Sequence, residues 1–108
     1  MKLVFAFVQP FKLDDITRNL QDIPHFPGMT VGAVRGFGRE HELPADSAEE
    51  QLEDFTDKVQ IEAVVHDDQV DVVIDAIASA AHTGRYGDGM IFVLPVERSL
   101  RIATLRPE

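Results

Sequence analysis

The hydrophobic positions of this chain fall into short segments with two kinds of spacing. Residues 2–9 (KLVFAFVQ) are almost wholly apolar, which is typical of a strand covered on both faces or nearly so. Apolar residues then recur at helical spacing before Pro24, at Leu13, Ile16, Leu20 and Ile23. This stretch predicts a strand followed by a helix.

The rest of the chain repeats the same order. Residues 29–34 predict a second strand. Residues 58–65 alternate apolar and polar positions, which predicts a third strand with one face exposed to solvent. Asp67 is predicted to be the N-cap of a second helix. Its apolar stripe comprises Val70, Val73, Ile74, Ile77, Ala78 and Ala81. Residues 90–96 predict a fourth strand and residues 99–104 a short final one.

Two strand–helix–strand halves predict an α+β fold, the ferredoxin-like βαββαβ sandwich, as a single domain over residues 1–108. In this fold an antiparallel sheet carries both helices on one face. The apolar residues of the first and fourth strands make the other face costly to expose to water. Contact with further copies of the chain is the simplest way to cover it.

Composition narrows the class of protein. The chain has 108 residues, 19 acidic and 10 basic side chains, a net charge of −9 and no cysteine. Disulfides are excluded, and the negative charge argues against binding to nucleic acid backbones. The longest apolar runs are far shorter than the ~20 residues that span a bilayer. Without a signal-like leader, the expected location is the cytoplasm, with no direct membrane insertion.

Most of the excess charge lies in one segment. Residues 40–57 contain eight acidic residues and no Lys or Arg. A connection of this length is typical of a functional or mobile loop, so residues 39–57 are predicted to form such a loop. Two alternatives stay open: a solvated charge run, and a divalent metal site at Glu40, His41 and Glu42, whose spacing does not exclude chance.

Two glycine-rich segments are candidate anion sites. Residues 83–89 (TGRYGDG) lie between a helix and a strand, where backbone N–H groups can converge on an anion and Arg85 adds positive charge. Residues 35–39 (RGFGR) leave the second strand in a similar way. The alternatives are a plain turn that needs glycines for positive φ and a strand that bulges at its end.

The sequence does not predict an enzyme. The serines are Ser47, Ser79 and Ser99, and none lies in a nucleophile-elbow context. With no cysteine and no convincing acid–base pair, a catalytic function has no support in the residues.

Several blocks, in order and in register, resemble the PII signal-transduction family. They are residues 9–15 (QPFKLDD), 28–31 (GMTV), 35–39 (RGFGR), 58–62 (KVQIE), 83–89 (TGRYGDG) and 91–93 (IFV). The resemblance implies a homotrimer with adenine nucleotides in the clefts between subunits. It also implies a long loop that docks on transporters, enzymes or regulators.

By this resemblance the nucleotide-binding residues form four groups. Those near the nucleotide pocket are Thr30, Glu62 and Val64. Those at the base of the loop are Gly36, Gly38 and Arg39. Those in the phosphate loop, residues 83–89, and directly after it are Arg85, Gly87, Asp88, Gly89 and Met90. The last is Arg101 in the C-terminal segment, residues 98–108.

The chain departs from the family at the phosphate contacts. Met90 replaces the usual Lys, and Ala103 replaces the second Arg of the tail. The loss of two cations favours ADP or AMP over ATP. Glu40 replaces the Gln that helps to hold Mg and 2-oxoglutarate, which disfavours sensing of that ligand. The acidic loop has no Tyr, so uridylylation is not expected.

These observations favour a PII-like trimeric regulator that binds an adenine nucleotide or another small anion and controls a partner protein, expected to be a membrane transporter. The alternative hypothesis is a metal-linked accessory protein. In that case Glu40, His41 and Glu42 bind a divalent cation and the nucleotide site is degenerate.

Overall fold

A computed structural model describes residues 1–37 and 55–107. The main elements, in chain order, are β1 (Lys2–Val8), α1 (Leu13–Gln21), β2 (Thr30–Gly36), β3 (Thr56–Val65), α2 (Val70–Ala81) and β4 (Gly89–Pro95). Two short strands follow, β5 (Leu100–Arg101) and β6 (Arg106–Pro107). Short 3-10 turns, Pro10–Lys12 and Asp67–Gln69, lead into the two helices.

The main sheet has the strand order β2-β3-β1-β4, and every neighbouring pair is antiparallel. Both helices pack on one face of this sheet, which confirms the predicted ferredoxin-like α+β fold. β1 is central because it pairs with β3 on one side and with β4 on the other. The chain therefore brings its two halves together along the strand with the most continuous apolar sequence.

The hydrophobic core lies between the helices and the sheet. Alternate strand residues such as Val4 and Ile61 are fully buried there, together with Ile16 of α1 and Ile77 of α2. The helices also contact each other directly, since the Asn19 side-chain amide donates to the carbonyl oxygen of Ala76 at 3.1 Å. This bond joins α1 to α2 on the helical side of the core.

The opposite side of the sheet, here called the open face, carries no helix. Its residues are Leu3, Phe5, Phe7, Thr30, Gly32, Val34, Gly36, Thr56, Lys58, Gln60, Glu62, Val64, Met90, Phe92 and Leu94. Its centre is aromatic, with the Phe5 ring 6.4 Å from that of Phe92. Phe92 is 43% exposed and Met90 56% exposed. A large apolar surface therefore faces water in the single chain.

Two local predictions are wrong. Asp67 is not an N-cap. It is the first residue of the 3-10 turn Asp67–Gln69, and His66 is the N-cap of that turn. The His66 amide N–H donates to Gln69 Oε1 at 3.3 Å, while the Asp67 carboxylate lies 3.0 Å from the Met1 amino nitrogen. The predicted strand over residues 99–104 is also too long. The Leu105 amide donates to the Arg101 carbonyl oxygen at 2.7 Å, so the chain turns back into β6.

The segment after β4, here called the C-terminal arm (residues 96–107), exposes apolar side chains. Leu100, Ile102 and Leu105 are 56%, 83% and 73% exposed. The arm leaves the sheet at Pro95, at the opposite end of β4 from Gly89. No helix within the described residues is both long enough and apolar enough to cross a membrane.

The core accounts for a first prediction about stability. We expect Ile77→Ala to lower the free energy of unfolding by about 2–5 kcal/mol, because it leaves a cavity at a fully buried position. Val72→Ala, at a 45% exposed position of the same helix, should change it by less than about 1 kcal/mol. Urea unfolding at one fixed protein concentration measures both. Equal effects of the two substitutions would contradict the described packing.

Candidate functional site

The loop between α2 and β4 depends on glycine at three positions. Gly84, Gly87 and Gly89 have φ values of 83°, 91° and 113°. Side chains other than glycine rarely adopt these values. The backbone of residues 83–89 therefore forms a turn that needs glycines for positive φ, one of the two structures that the sequence predicts for it. Whether the same turn also binds an anion depends on where its polar groups point.

The carbonyl oxygen of Gly87 is a point where three parts of the chain meet. Lys58 Nζ donates to it at 2.8 Å, and Gln9 Nε2 donates to it at 2.8 Å. Lys58 lies near the start of β3 and Gln9 directly follows β1. These two side chains fix the loop against the end of the sheet at which the acidic segment leaves.

The Asp88 carboxylate is an anion already held inside the loop. It accepts hydrogen bonds from the amide N–H groups of Thr83 at 2.7 Å and Gly84 at 3.0 Å. It also accepts one from the Thr83 hydroxyl at 2.5 Å. These bonds, that of the hydroxyl above all, hold the pKa of Asp88 below its usual range. Part of the predicted anion nest is thus used by the loop itself.

Gly89 is where the loop enters β4, directly against β1. A Cβ atom on Gly89 would lie 1.9 Å from the carbonyl oxygen of Phe7. No side chain fits at that distance. The residue is therefore required both by its backbone conformation and by the close approach of the two strands.

An exposed aromatic cluster lies where β2 ends and β3 begins. The Phe37 and Phe55 rings lie 5.2 Å apart, and the Arg35 guanidinium lies 5.3 Å from the Phe55 ring. The Thr56 hydroxyl donates to the Gly36 carbonyl oxygen at 3.4 Å. Arg35 and Gly36, predicted to lie beside an anion, are thus at the base of the segment, close in the sheet to Lys58.

A second group of predicted residues lies elsewhere on the open face. Thr30 pairs with Glu62 across β2 and β3, and Val64 follows two residues later on the same face. The Glu62 carboxylate accepts a hydrogen bond from Gln60 Nε2 at 2.6 Å. At ~3.3 Å per residue, Glu62 lies roughly 13 Å along β3 from Lys58. One chain therefore does not bring this group to the phosphate loop.

The remaining predicted residues take different positions. Met90 lies on the open face opposite Phe7, directly after the phosphate loop. Arg85 lies exposed in the loop, and Arg101 lies in β5 on the C-terminal arm. The predicted residues Gly38, Arg39, Glu40, His41 and Glu42, like most of the loop at 39–57, lie outside the described residues.

The metal site predicted at Glu40, His41 and Glu42 therefore lies outside the residues that the structure describes. Within residues 1–37 and 55–107, no three His, Asp or Glu side chains lie together in a way that could hold a metal ion. His66 and His82 instead lie at the two ends of the helical segment that contains α2.

Sequence analysis missed two members of the site. Gln9 lies in one of the family-like blocks and Thr83 begins the glycine-rich loop, but the sequence predicts no role for either side chain. Their hydrogen bonds to Gly87 and Asp88 join residues 78 and five positions apart in sequence. The long-range bond has no local sequence signal. The short-range bond could have been found, because Thr and Asp commonly close loops on themselves.

Comparison with known proteins identifies the family. The sequence profile described as "Nitrogen regulatory protein P-II" matches residues 1–106. The chain belongs to the P-II family. It is 49% identical over 105 residues to the "Nitrogen regulatory protein P-II" of Pasteurella multocida, covering 96% of this chain and 93% of that protein. The proteins of the same name from Haemophilus influenzae and Nostoc punctiforme are 48% and 46% identical, with the same coverage.

Membership in this family confirms the resemblance that the sequence blocks indicate. The chain is a regulatory signalling protein of the P-II family.

The contact at Gly89 leads to a second prediction. We expect Gly89→Ala to lower the free energy of unfolding by about 3 kcal/mol or more, since the added Cβ meets the Phe7 carbonyl oxygen and the positive φ disfavours alanine. Gly32→Ala is the control, because its Cβ meets nothing within 4 Å. That variant should stay within about 1 kcal/mol of wild type. Equal stability of both variants in urea unfolding would refute the close approach.

The hydrogen bonds of Asp88 lead to a third prediction, on pH. Because its pKa is lower in the folded chain, the carboxylate stabilises the fold above the unfolded-state pKa. This contribution is lost as pH falls through the folded-state pKa. Asp88→Asn should therefore unfold at lower urea concentration than wild type at neutral pH, with the difference shrinking below about pH 4.

Asp75→Asn, at an exposed position of α2, is the matched control and should follow wild type throughout. A difference between Asp88→Asn and wild type that is equally large in acid would show that the carboxylate charge is not the stabilising group.

Proposed function

We propose that this chain acts as a cytoplasmic homotrimer that binds an adenine nucleotide in the clefts between subunits. Nucleotide binding controls a partner protein, expected to be a membrane transporter, through the acidic segment at 39–57. It acts as a regulator and not as an enzyme. ADP or AMP is the favoured ligand.

One observation carries the proposal. The group of Thr30, Glu62 and Val64 and the loop that ends at Gly89 are separated along a sheet face that is uncovered in the single chain. A ligand that touches both groups within one chain would have to span most of that face. When copies meet through their open faces, one group of one copy can lie beside the other group of its neighbour.

The apolar surface of the molecule supports an assembly of copies. The open face has a half-exposed aromatic centre, and the C-terminal arm presents Ile102 and Leu105 at 83% and 73% exposure. Burial of such surface stabilises an assembly by roughly 25 cal/mol per Å². Arg101 lies on this arm, which leaves the sheet at Pro95, at the opposite end of β4 from the phosphate loop.

The choice of ligand follows from the charges beside the phosphate loop. Met90 is the side chain that directly follows the loop and is 56% exposed on the open face, where it supplies no charge. Lys58 is already bound to the Gly87 carbonyl oxygen. With few cations to offset a triphosphate, a nucleotide with fewer phosphates fits this site better.

Titration calorimetry with AMP, ADP and ATP tests this proposal, using Met90→Lys as the informative variant. We expect wild type to bind ADP or AMP more tightly than ATP. A lysine at position 90 should tighten ATP binding about tenfold or more, because a charge-assisted contact contributes ~1.5–3 kcal/mol. Met90→Leu, which keeps the volume but adds no charge, should leave the order of affinities unchanged.

Absence of heat with all three nucleotides, for wild type and Met90→Lys alike, would contradict nucleotide binding. A wild-type preference for ATP would contradict the inferred ligand and leave the binding site itself intact.

A further inference from the structure

The Thr83 hydroxyl acts both as a donor and as an acceptor of hydrogen bonds within the loop. It donates to Asp88 Oδ1 at 2.5 Å and accepts from the Arg85 amide N–H at 3.1 Å. The Thr83 and Gly84 amides donate to the other carboxylate oxygen of Asp88. Thr83 therefore links the first half of the loop to Asp88, which lies between Gly87 and Gly89.

The second half of the loop is held from outside. Lys58 and Gln9 bind the Gly87 carbonyl oxygen, and Gly89 lies against the backbone of Phe7. The contacts of Thr83 and Asp88 thus complete a loop that is fixed at both halves. A loop ordered before the ligand arrives loses little conformational entropy on binding it.

We propose that Thr83 and Asp88 are positioning residues for the phosphate groups of the bound nucleotide. Asp88 occupies the amide groups of Thr83 and Gly84, and in doing so holds the rest of the loop in the shape that receives phosphate. Neither residue needs to touch the ligand. This inference rests on the proposed function, because it assigns the loop to a nucleoside phosphate and not to a free surface.

Thr83→Val tests the pair, because valine keeps the shape of threonine but can neither donate to Asp88 nor accept from Arg85. Thr83→Ser is the matched control, since it keeps the hydroxyl. Calorimetry with ADP and with adenosine separates positioning of phosphate from general damage to the protein. Amide hydrogen exchange at Gly84 and Arg85 measures the order of the loop directly.

For Thr83→Val we expect ADP affinity to fall about tenfold and adenosine affinity to change by less than about twofold. Exchange at the Gly84 and Arg85 amides should accelerate, while exchange in β1 and β3 stays at its wild-type rate. Thr83→Ser should restore both readouts. A merely structural role would weaken ADP and adenosine equally or accelerate exchange throughout the sheet.

The outcomes separate this inference from the proposed function. If wild type binds ADP and Thr83→Val binds it equally well, the positioning role is wrong and the proposed function stands. If wild type binds neither ADP nor adenosine, the proposed function fails and the positioning role fails with it.

Discussion

A sheet of four strands has two faces, and the two helices of this chain cover only one of them. The remaining face carries Phe5, Phe7 and Phe92 at its centre, and these side chains cannot turn inward without changing the register of their strands. The same alternation that buries Val4 and Ala6 against the helices therefore forces the aromatic residues outward. The proposed assembly with other copies would remove this surface from water.

The same constraint determines where a ligand site can form. The ends of β1 and β3 supply Gln9 and Lys58, which hold the Gly87 carbonyl oxygen at one end of the sheet. The polar pair of Thr30 and Glu62 lies further along the open face. In the proposed trimer, neighbours that cover this face would bring the two groups together only on assembly, which would link assembly to the proposed nucleotide binding.

The fold was predictable because its signals are local. Strict alternation in β3 and the helical spacing of α2 indicate their elements directly, and their order predicts the sandwich. Shorter features were harder to predict. Aspartate is common at N-caps, yet Asp67 is the first residue of a 3-10 turn that follows His66 and leads into the helix. The glycines of the phosphate loop indicate a turn. The hydrogen bond between Gln9 and Gly87 depends on tertiary structure, and no local pattern predicts it.

Sedimentation equilibrium of the wild-type chain at micromolar concentration tests the central claim most directly, since it asks whether copies cover the open face. The account predicts a single species with three times the mass of the chain, stable on dilution. A folded species with the mass of one chain would contradict it, because the aromatic face would then remain in water and the two groups of ligand residues would stay apart.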